Sequence, residues 1–177
     1  MITNNFKKML MLIFSSTATG TNQPKMPNTN LPNLVGLDGT ETRITSEIGW
    51  ETKMNGWFNI MNYLAKTSSN NNLYLKVGTG TTAPTENDYE LQTVNTDVSC
   101  DTVIVGNSAN YTKTYTATFS NPTNSDITVT EVGLYANIMY NSRNESYMDV
   151  LLDRTVLTTP ITIPAGESKA ITYELGF

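Results

Sequence analysis

The chain contains no histidine at all and a single cysteine, Cys100. The first absence removes Ser-His-Asp and Cys-His triads, imidazole general bases and the histidine-bearing zinc and iron sites. The second excludes an internal disulfide and a four-thiolate zinc site, so nothing in the fold is stapled. Cys100 is expected as a small buried side chain on a strand, not as a reactive thiol. Charge is also scarce: Asp, Glu, Lys and Arg make up 15% of the 177 residues, where about 25% is usual. The balance is acidic, net -5 with a pI near 4.6, and an acidic chain repels phosphate, which argues against nucleic-acid binding. Long apolar runs are missing as well. The run from Met9 to Phe14 is six residues, too short to span a bilayer and shorter than the apolar region of a secretory signal.

What stands in place of charge is threonine and asparagine, 29 and 21 residues respectively. Threonine suits pleated, half-buried surfaces, and asparagine with glycine and proline suits the turns between them. Sixteen aromatic residues and 38% hydrophobic residues are enough to bury a core, so disorder is not the better explanation. The composition therefore predicts a mainly β protein. Its architecture is expected to be an antiparallel β-sandwich, jelly-roll or Ig-like, preceded by an amino-terminal helix, an extended arm and one further helix. Three stretches follow from this: 1–40 for the helix and arm, 41–72 for a helical connecting segment, and 73–177 for the sandwich.

At helical spacing Ile2, Phe6, Met9, Leu10 and Ile13 fall on one stripe, and Thr3 or Asn4 can cap the first turn. A helix this short is marginal alone, so its stripe needs a partner surface, and a neighbouring subunit is the expected one. From Ser15 to about Asp38 the residues are mostly Ser, Thr, Asn, Pro and Gly, which reads as an extended arm contacting other chains. Trp57, Ile60, Met61 and Leu64 fit a second helix over about 54–66. Trp50 and Trp57 are the candidate aromatic contacts, with core packing the plainer use.

The β half is read from alternation. Leu73, Leu75 and Val77 alternate with Tyr74 and Lys76. From Tyr111 to Phe119, Thr112, Thr114, Thr116 and Thr118 take one face, and Lys113, Tyr115, Ala117 and Phe119 the other. Ile127 and Val129 continue the pattern, but the apolar phase slips at Glu131 to Val132 and Leu134, which predicts a switch in strand geometry there and a bulge near Gly133. Val98 to Val105, Val150 to Leu157, Ile161 to Ile163 and Ile171 to Phe177 complete the strands, with a turn at Pro164 to Glu167. No helices alternate with them, which excludes a parallel α/β sheet.

Few residues suggest chemistry. Gly78-Thr79-Gly80-Thr81-Thr82-Ala83 matches a loose dinucleotide fingerprint, but Pro84 and the turn residues after it leave no helix to receive a pyrophosphate. Glu86, Asp88 and Glu90 lack the spacing of a calcium loop and are expected to be a solvated loop. No cofactor, metal ligand set or catalytic residue is indicated.

Four strings of the β half occur in an order seen elsewhere: LKVGTGTTAPTENDYEL from Leu75 to Leu91, ITVTEVGLYA from Ile127 to Ala136, LLDRTVL from Leu151 to Leu157, and TTPITIPAGESKAITYELGF from Thr158 to Phe177. In this the chain resembles small virion structural proteins of tailed bacteriophages, over about 100 residues. The resemblance implies a repeated, non-enzymatic subunit of a tail fibre, collar, head decoration or head fibre, made in the host cytoplasm and located in the virion. Its partners would be copies of itself and other virion proteins, with no membrane insertion. The alternative is a carbohydrate-binding, adhesin-like sandwich recognising a host-surface glycan through Trp50, Trp57 and tyrosines. The resemblance brings no catalytic residues with it.

Overall fold

In a computed structural model the structure describes residues 1–14, 17–19, 23–25, 33–43, 73–101, 103–106, 112–141 and 146–176. The chain is mainly β. One helix, α1 (Asn4–Phe14), opens it, followed by β1 (Thr17–Thr19), β2 (Gln23–Lys25), β3 (Asn33–Val35) and β4 (Glu41–Arg43). The longer strands then follow: β5 (Leu73–Gly78), β6 (Ser99–Cys100), β7 (Ile104–Val105), β8 (Thr112–Ser120), β9 (Ile127–Asn141), β10 (Ser146–Ile163) and β11 (Ser168–Gly176). Every pairing is antiparallel. One sheet has the order β10-β9-β5, and another has β11-β8-β6 with β7 also on β8. Two small hairpins are present, β1-β2 and β3-β4; β1, β2 and β3 lie in the stretch expected as an extended arm, and β4 lies at the start of the segment expected as helical.

The strand faces follow the alternation. Along β8 the odd residues from Lys113 to Phe119 are buried and the even ones half-exposed. On β11 Ile171, Tyr173 and Leu175 are buried while Thr172 and Glu174 are exposed. Inward side chains of both large sheets, among them Leu75, Val77, Val132 and Leu134 from one and Tyr115, Phe119, Ile171 and Leu175 from the other, form one apolar cluster. The chain passes between the sheets at two neighbouring corners, after β8 and after β10. Asn121, 1% exposed, joins them: its amide donates to the carbonyls of Ser125 at 2.8 Å and Ile163 at 2.9 Å, and its backbone N–H donates to the Glu167 carbonyl at 2.9 Å. Gly166 takes a positive φ of 72° in the second corner, the left-handed region that glycine enters freely.

The expected switch beside Glu131 is present, at a slightly different place. Gly133 pairs regularly with Lys76 on one side and Arg154 on the other. The register breaks between Val129 and Glu131, because β10 goes from Val156 opposite Glu131 to Ile161 opposite Val129. The extra residues, Leu157 to Pro160, sit on β10, so the irregularity is carried by the partner strand. A second shift, between Leu151 and Asp153, leaves Leu152 as one additional residue opposite the step from Tyr135 to Leu134.

Three expectations are corrected. The stripe of α1 does not wait for a neighbour: Phe6 at 0% and Met9 at 1% exposure lie in the chain's own core, and Ile2 packs against it. Leu34 joins them at 0% exposure, so part of the region expected to face other chains is core. The physical reason is that the outer edge of β10 offers the helix a seat within the same chain. The side chains of Leu10 and Ile13 lie outside the described residues, as do Trp50, Trp57 and the segment expected as the second helix. Finally, Cys100 is on a strand but exposed, since β6 is a two-residue strand at the rim of its sheet.

Candidate functional site

The densest polar chemistry among the described residues lies where the loop from Gly78 to Thr93 folds back over the β10-β9-β5 sheet. Glu131 on β9 is fully buried. Its Oε1 accepts the backbone N–H of Gly80 at 3.0 Å and of Thr93 at 2.8 Å, while Oε2 accepts the Gln92 N–H at 3.1 Å and Arg154 Nε at 2.8 Å. A carboxylate that accepts three amides and a guanidinium has both oxygens fully engaged, which is how a buried charge is tolerated.

Arg154, on β10 and 2% exposed, completes the network. Its Nη1 donates to Asp88 Oδ2 at 2.7 Å and its Nη2 to the Thr82 carbonyl at 3.1 Å. Burial disfavours its charge, but hydrogen bonds to Asp88 and Glu131 outweigh that and hold its pKa above the ordinary value. Burial likewise opposes the charged form of Asp88. The Thr85 amide at 3.0 Å, the Arg154 guanidinium and the Thr85 hydroxyl at 2.7 Å overcome it, and its carboxyl sits below the usual carboxylate range. Asp88, expected as part of a solvated acidic loop, is therefore an ion-pair partner of the sheet. Glu86 pairs instead with Lys7 of α1 at 2.5 Å.

The glycines of the false nucleotide fingerprint have their explanation here. A Cβ on Gly80 would collide with Glu131 Oε1 and lie 2.6 Å from Gln92 Cβ. Only a residue without a side chain lets the loop backbone reach the carboxylate. Gln92 ties the same loop, its Oε1 accepting the N–H groups of Thr81 and Thr82, both at 2.9 Å.

Beside this network a second apolar cluster of Leu91, Tyr135 and Leu151 fills the space under the loop, with Leu37, Tyr74 and Val94 against it. Tyr135 is fully buried and its hydroxyl accepts the Leu91 N–H at 3.0 Å. The rings of Tyr74 and Tyr135 stack with centroids 5.4 Å apart, and Lys76 Nζ lies 5.0 Å from the Tyr135 centroid. The sheet is thus covered on both faces, by the other sheet's core and by this loop.

A third group lies at the amino terminus. Asp153 Oδ1 is 3.0 Å from the Met1 ammonium, and Asp153 Oδ2 accepts the Tyr173 hydroxyl, which also bonds Thr155 Oγ1 at 3.0 Å. Among the described residues no three acidic or thiol side chains converge as a metal site requires, and no helix is long and apolar enough to cross a membrane.

Of the residues singled out from sequence, Ile2, Phe6 and Met9 come together as packing, and Trp50 and Trp57 fall outside the described residues. The partnership of Asp88, Glu131 and Arg154 was missed. A signal for it existed: Glu131 and Arg154 each interrupt an apolar strand, where an unpaired charge is costly. No family model, no curated protein and no solved structure matches this chain.

Proposed function

We propose that the chain is a non-enzymatic structural protein of a tailed-bacteriophage virion, a repeated subunit of a tail fibre, collar or head surface whose two large sheets make a β-sandwich. One observation carries this reading. One charged residue from each of three of the four strings behind the resemblance, Asp88, Glu131 and Arg154, meets the others in a network centred on the buried Glu131–Arg154 pair. Strings that are far apart in sequence thus act together in space, as parts of one loop-to-sheet joint. The network's chemistry also fits a scaffold, because the Glu131 carboxylate and the Arg154 guanidinium are occupied in holding a loop to a sheet. The threonine-rich outer face of β8, with Thr116 and Thr172 hydroxyls paired at 2.9 Å, is a weakly charged surface suited to wet contacts between copies.

The test is to probe gradient-purified particles of the encoding phage with an antibody raised against the purified chain, and to locate the chain in a reconstruction of the intact particle. A fixed copy number per particle supports the reading. Recovery of the chain only from the soluble fraction of infected cells rejects it. The glycan-binding alternative rests on Trp50 and Trp57, and binding of the purified chain to a glycan array separates it from the scaffold reading.

A further inference from the structure

We propose that the tip of the Gly78–Thr93 loop, Thr81 to Glu90, is an acid-released strap: with the Asp88 carboxylate ionised the tip is clamped to β10 and braces α1, and with that carboxylate protonated the tip lifts while the roots of the loop stay in place. The device belongs to the chain itself and holds whether or not the protein is a virion subunit.

The loop is fastened in two tiers. Its roots are held by backbone bonds and apolar burial, which do not titrate. The Thr79 N–H donates to the Thr93 carbonyl at 3.0 Å and the Asn95 N–H to the Val77 carbonyl at 2.9 Å, and Leu91 is buried with Tyr135 and Leu151. The tip has no such anchor. Every residue from Thr81 to Glu90 is exposed or half-exposed, whereas Gly80 and Leu91 on either side are buried. Tyr89 lies against Gly39 of the β3-β4 turn but stays 42% exposed. Among the described residues, the hydrogen bonds that the tip makes beyond its own loop go to Arg154 and to α1.

Toward β10, Arg154 donates to Asp88 Oδ2 at 2.7 Å and to the Thr82 carbonyl at 3.1 Å. Toward α1, the Asn4 N–H donates to the Glu86 carbonyl at 2.7 Å, Asn4 Nδ2 to Asn87 Oδ1 at 2.9 Å, and Lys7 pairs with Glu86. The Lys7–Glu86 pair is exposed and such pairs contribute little. Asp88 therefore decides whether the tip is held. Its side chain is 19% exposed against 3% for Arg154, so solvent protons have access to the acid while the guanidinium stays inside with Glu131.

The charged groups around Asp88 come from each neighbouring element. Arg154 on β10 faces it, with Glu131 on β9 behind, and Met1 and Asp153 pair with each other beside Arg154. Glu86 and Glu90 flank it on the loop, with Lys7 of α1 on Glu86, and Asp38 in the β3-β4 turn is capped by the Thr40 N–H. Burial opposes the charge of Asp88, but the Thr85 amide, the Arg154 guanidinium and the Thr85 hydroxyl hold its carboxyl below the usual range. The clamp is thus complete above the ordinary aspartate value of about 4 and is lost as pH falls through the lower folded value. Protonation discharges the acceptor, and a charge-assisted bond is roughly twice as strong as a neutral one.

The experiment follows the full chain by nuclear magnetic resonance from about pH 7 to about pH 2.5, across the range where a carboxylate titrates. Amide exchange, corrected for its intrinsic rate, is read beside the carboxyl carbon shift of Asp88. The reporters are the N–H groups of Asn4 and Asp88, which donate to the backbone carbonyls of Glu86 and Thr85 and not to a carboxylate. Their protection should fall by about tenfold or more, as in a local opening, in step with the Asp88 titration, while Thr79, β8 and β11 keep theirs. Asp88→Asn should begin at the low level and show no step, and Glu86→Gln should keep the step. Titration of Asp88 without a response at the reporters overturns the inference. So does a step that survives Asp88→Asn or disappears in Glu86→Gln, and so does opening of the reporters only together with β8 and β11. The wild-type titration decides by itself if Asp88→Asn folds poorly.

Discussion

Glu131 and Arg154 are diagonal neighbours on adjacent strands, joined by a 2.8 Å hydrogen bond with side chains 0% and 3% exposed. Removing either partner strands the other's charge in the interior. Arg154→Met and Glu131→Gln are each expected to destabilise the fold by about 3–5 kcal/mol, the usual cost of breaking a buried pair. The double variant should cost clearly less than the two single losses combined, since the groups act as a unit. Urea unfolding of the four proteins measures the coupling, and strict additivity would show the pair to be independent.

Gly80 and Gly166 separate two reasons for glycine. Gly166→Ala meets nothing within 4 Å and should cost only the backbone strain of a positive φ, about 1–2 kcal/mol. Gly80→Ala collides with Glu131 Oε1 and disturbs the carboxylate that holds the loop, so it should cost about 3 kcal/mol or more, at the upper end of overpacking. The shift in denaturation midpoint ranks them, and the reverse order would contradict the role given to the loop.

Alkaline pH is expected to unfold the protein through its tyrosines. Burial first, and for Tyr74 and Tyr173 also the nearby charges of Asp149 and Asp153, pushes the phenols of Tyr74, Tyr115, Tyr135 and Tyr173 well above the ordinary value. Their folded pKa values are raised, so the stability they contribute is complete below about pH 10 and is lost as pH rises above it. Phenolate absorbance followed beside far-ultraviolet circular dichroism should show these four ionising together with loss of β structure. Their ionisation in a protein that keeps its dichroism would argue against the burial described.

Phe6→Ala tests the seat of α1. With Phe6 in the chain's own core, truncation should destabilise by about 3–5 kcal/mol, read as a lowered thermal midpoint. The loss should appear in the circular-dichroism melt of the whole chain. A side chain serving only a transient surface role would leave the midpoint unmoved.

Much of the β half was legible because alternation is local: the inward row of β8 and the apolar row of β11 can be written down from spacing alone. The slip at Glu131 was legible too, although the compensating residues lie on β10, which only pairing reveals. The network was not legible. Arg154 reaches Glu131 across 23 residues and Asp88 across 66, and nothing in a linear pattern says which acid meets which base. The amino-terminal stripe illustrates the same limit. Spacing exposed a face that must be covered, but the cover is an edge of β10 more than a hundred residues away.

That edge also gives the attachment of Met1 to Thr3 a direction. The hydrogen bonds to β10 stand across the antiparallel strands. A tension applied along the strand axis therefore loads them at the same time, in shear, together with the ion pair to Asp153. A tension that lifts Met1 away from the sheet meets them one after another and peels the segment off. The joint is mechanically stiff lengthwise and weak crosswise, so the angle at which a load arrives decides whether it holds.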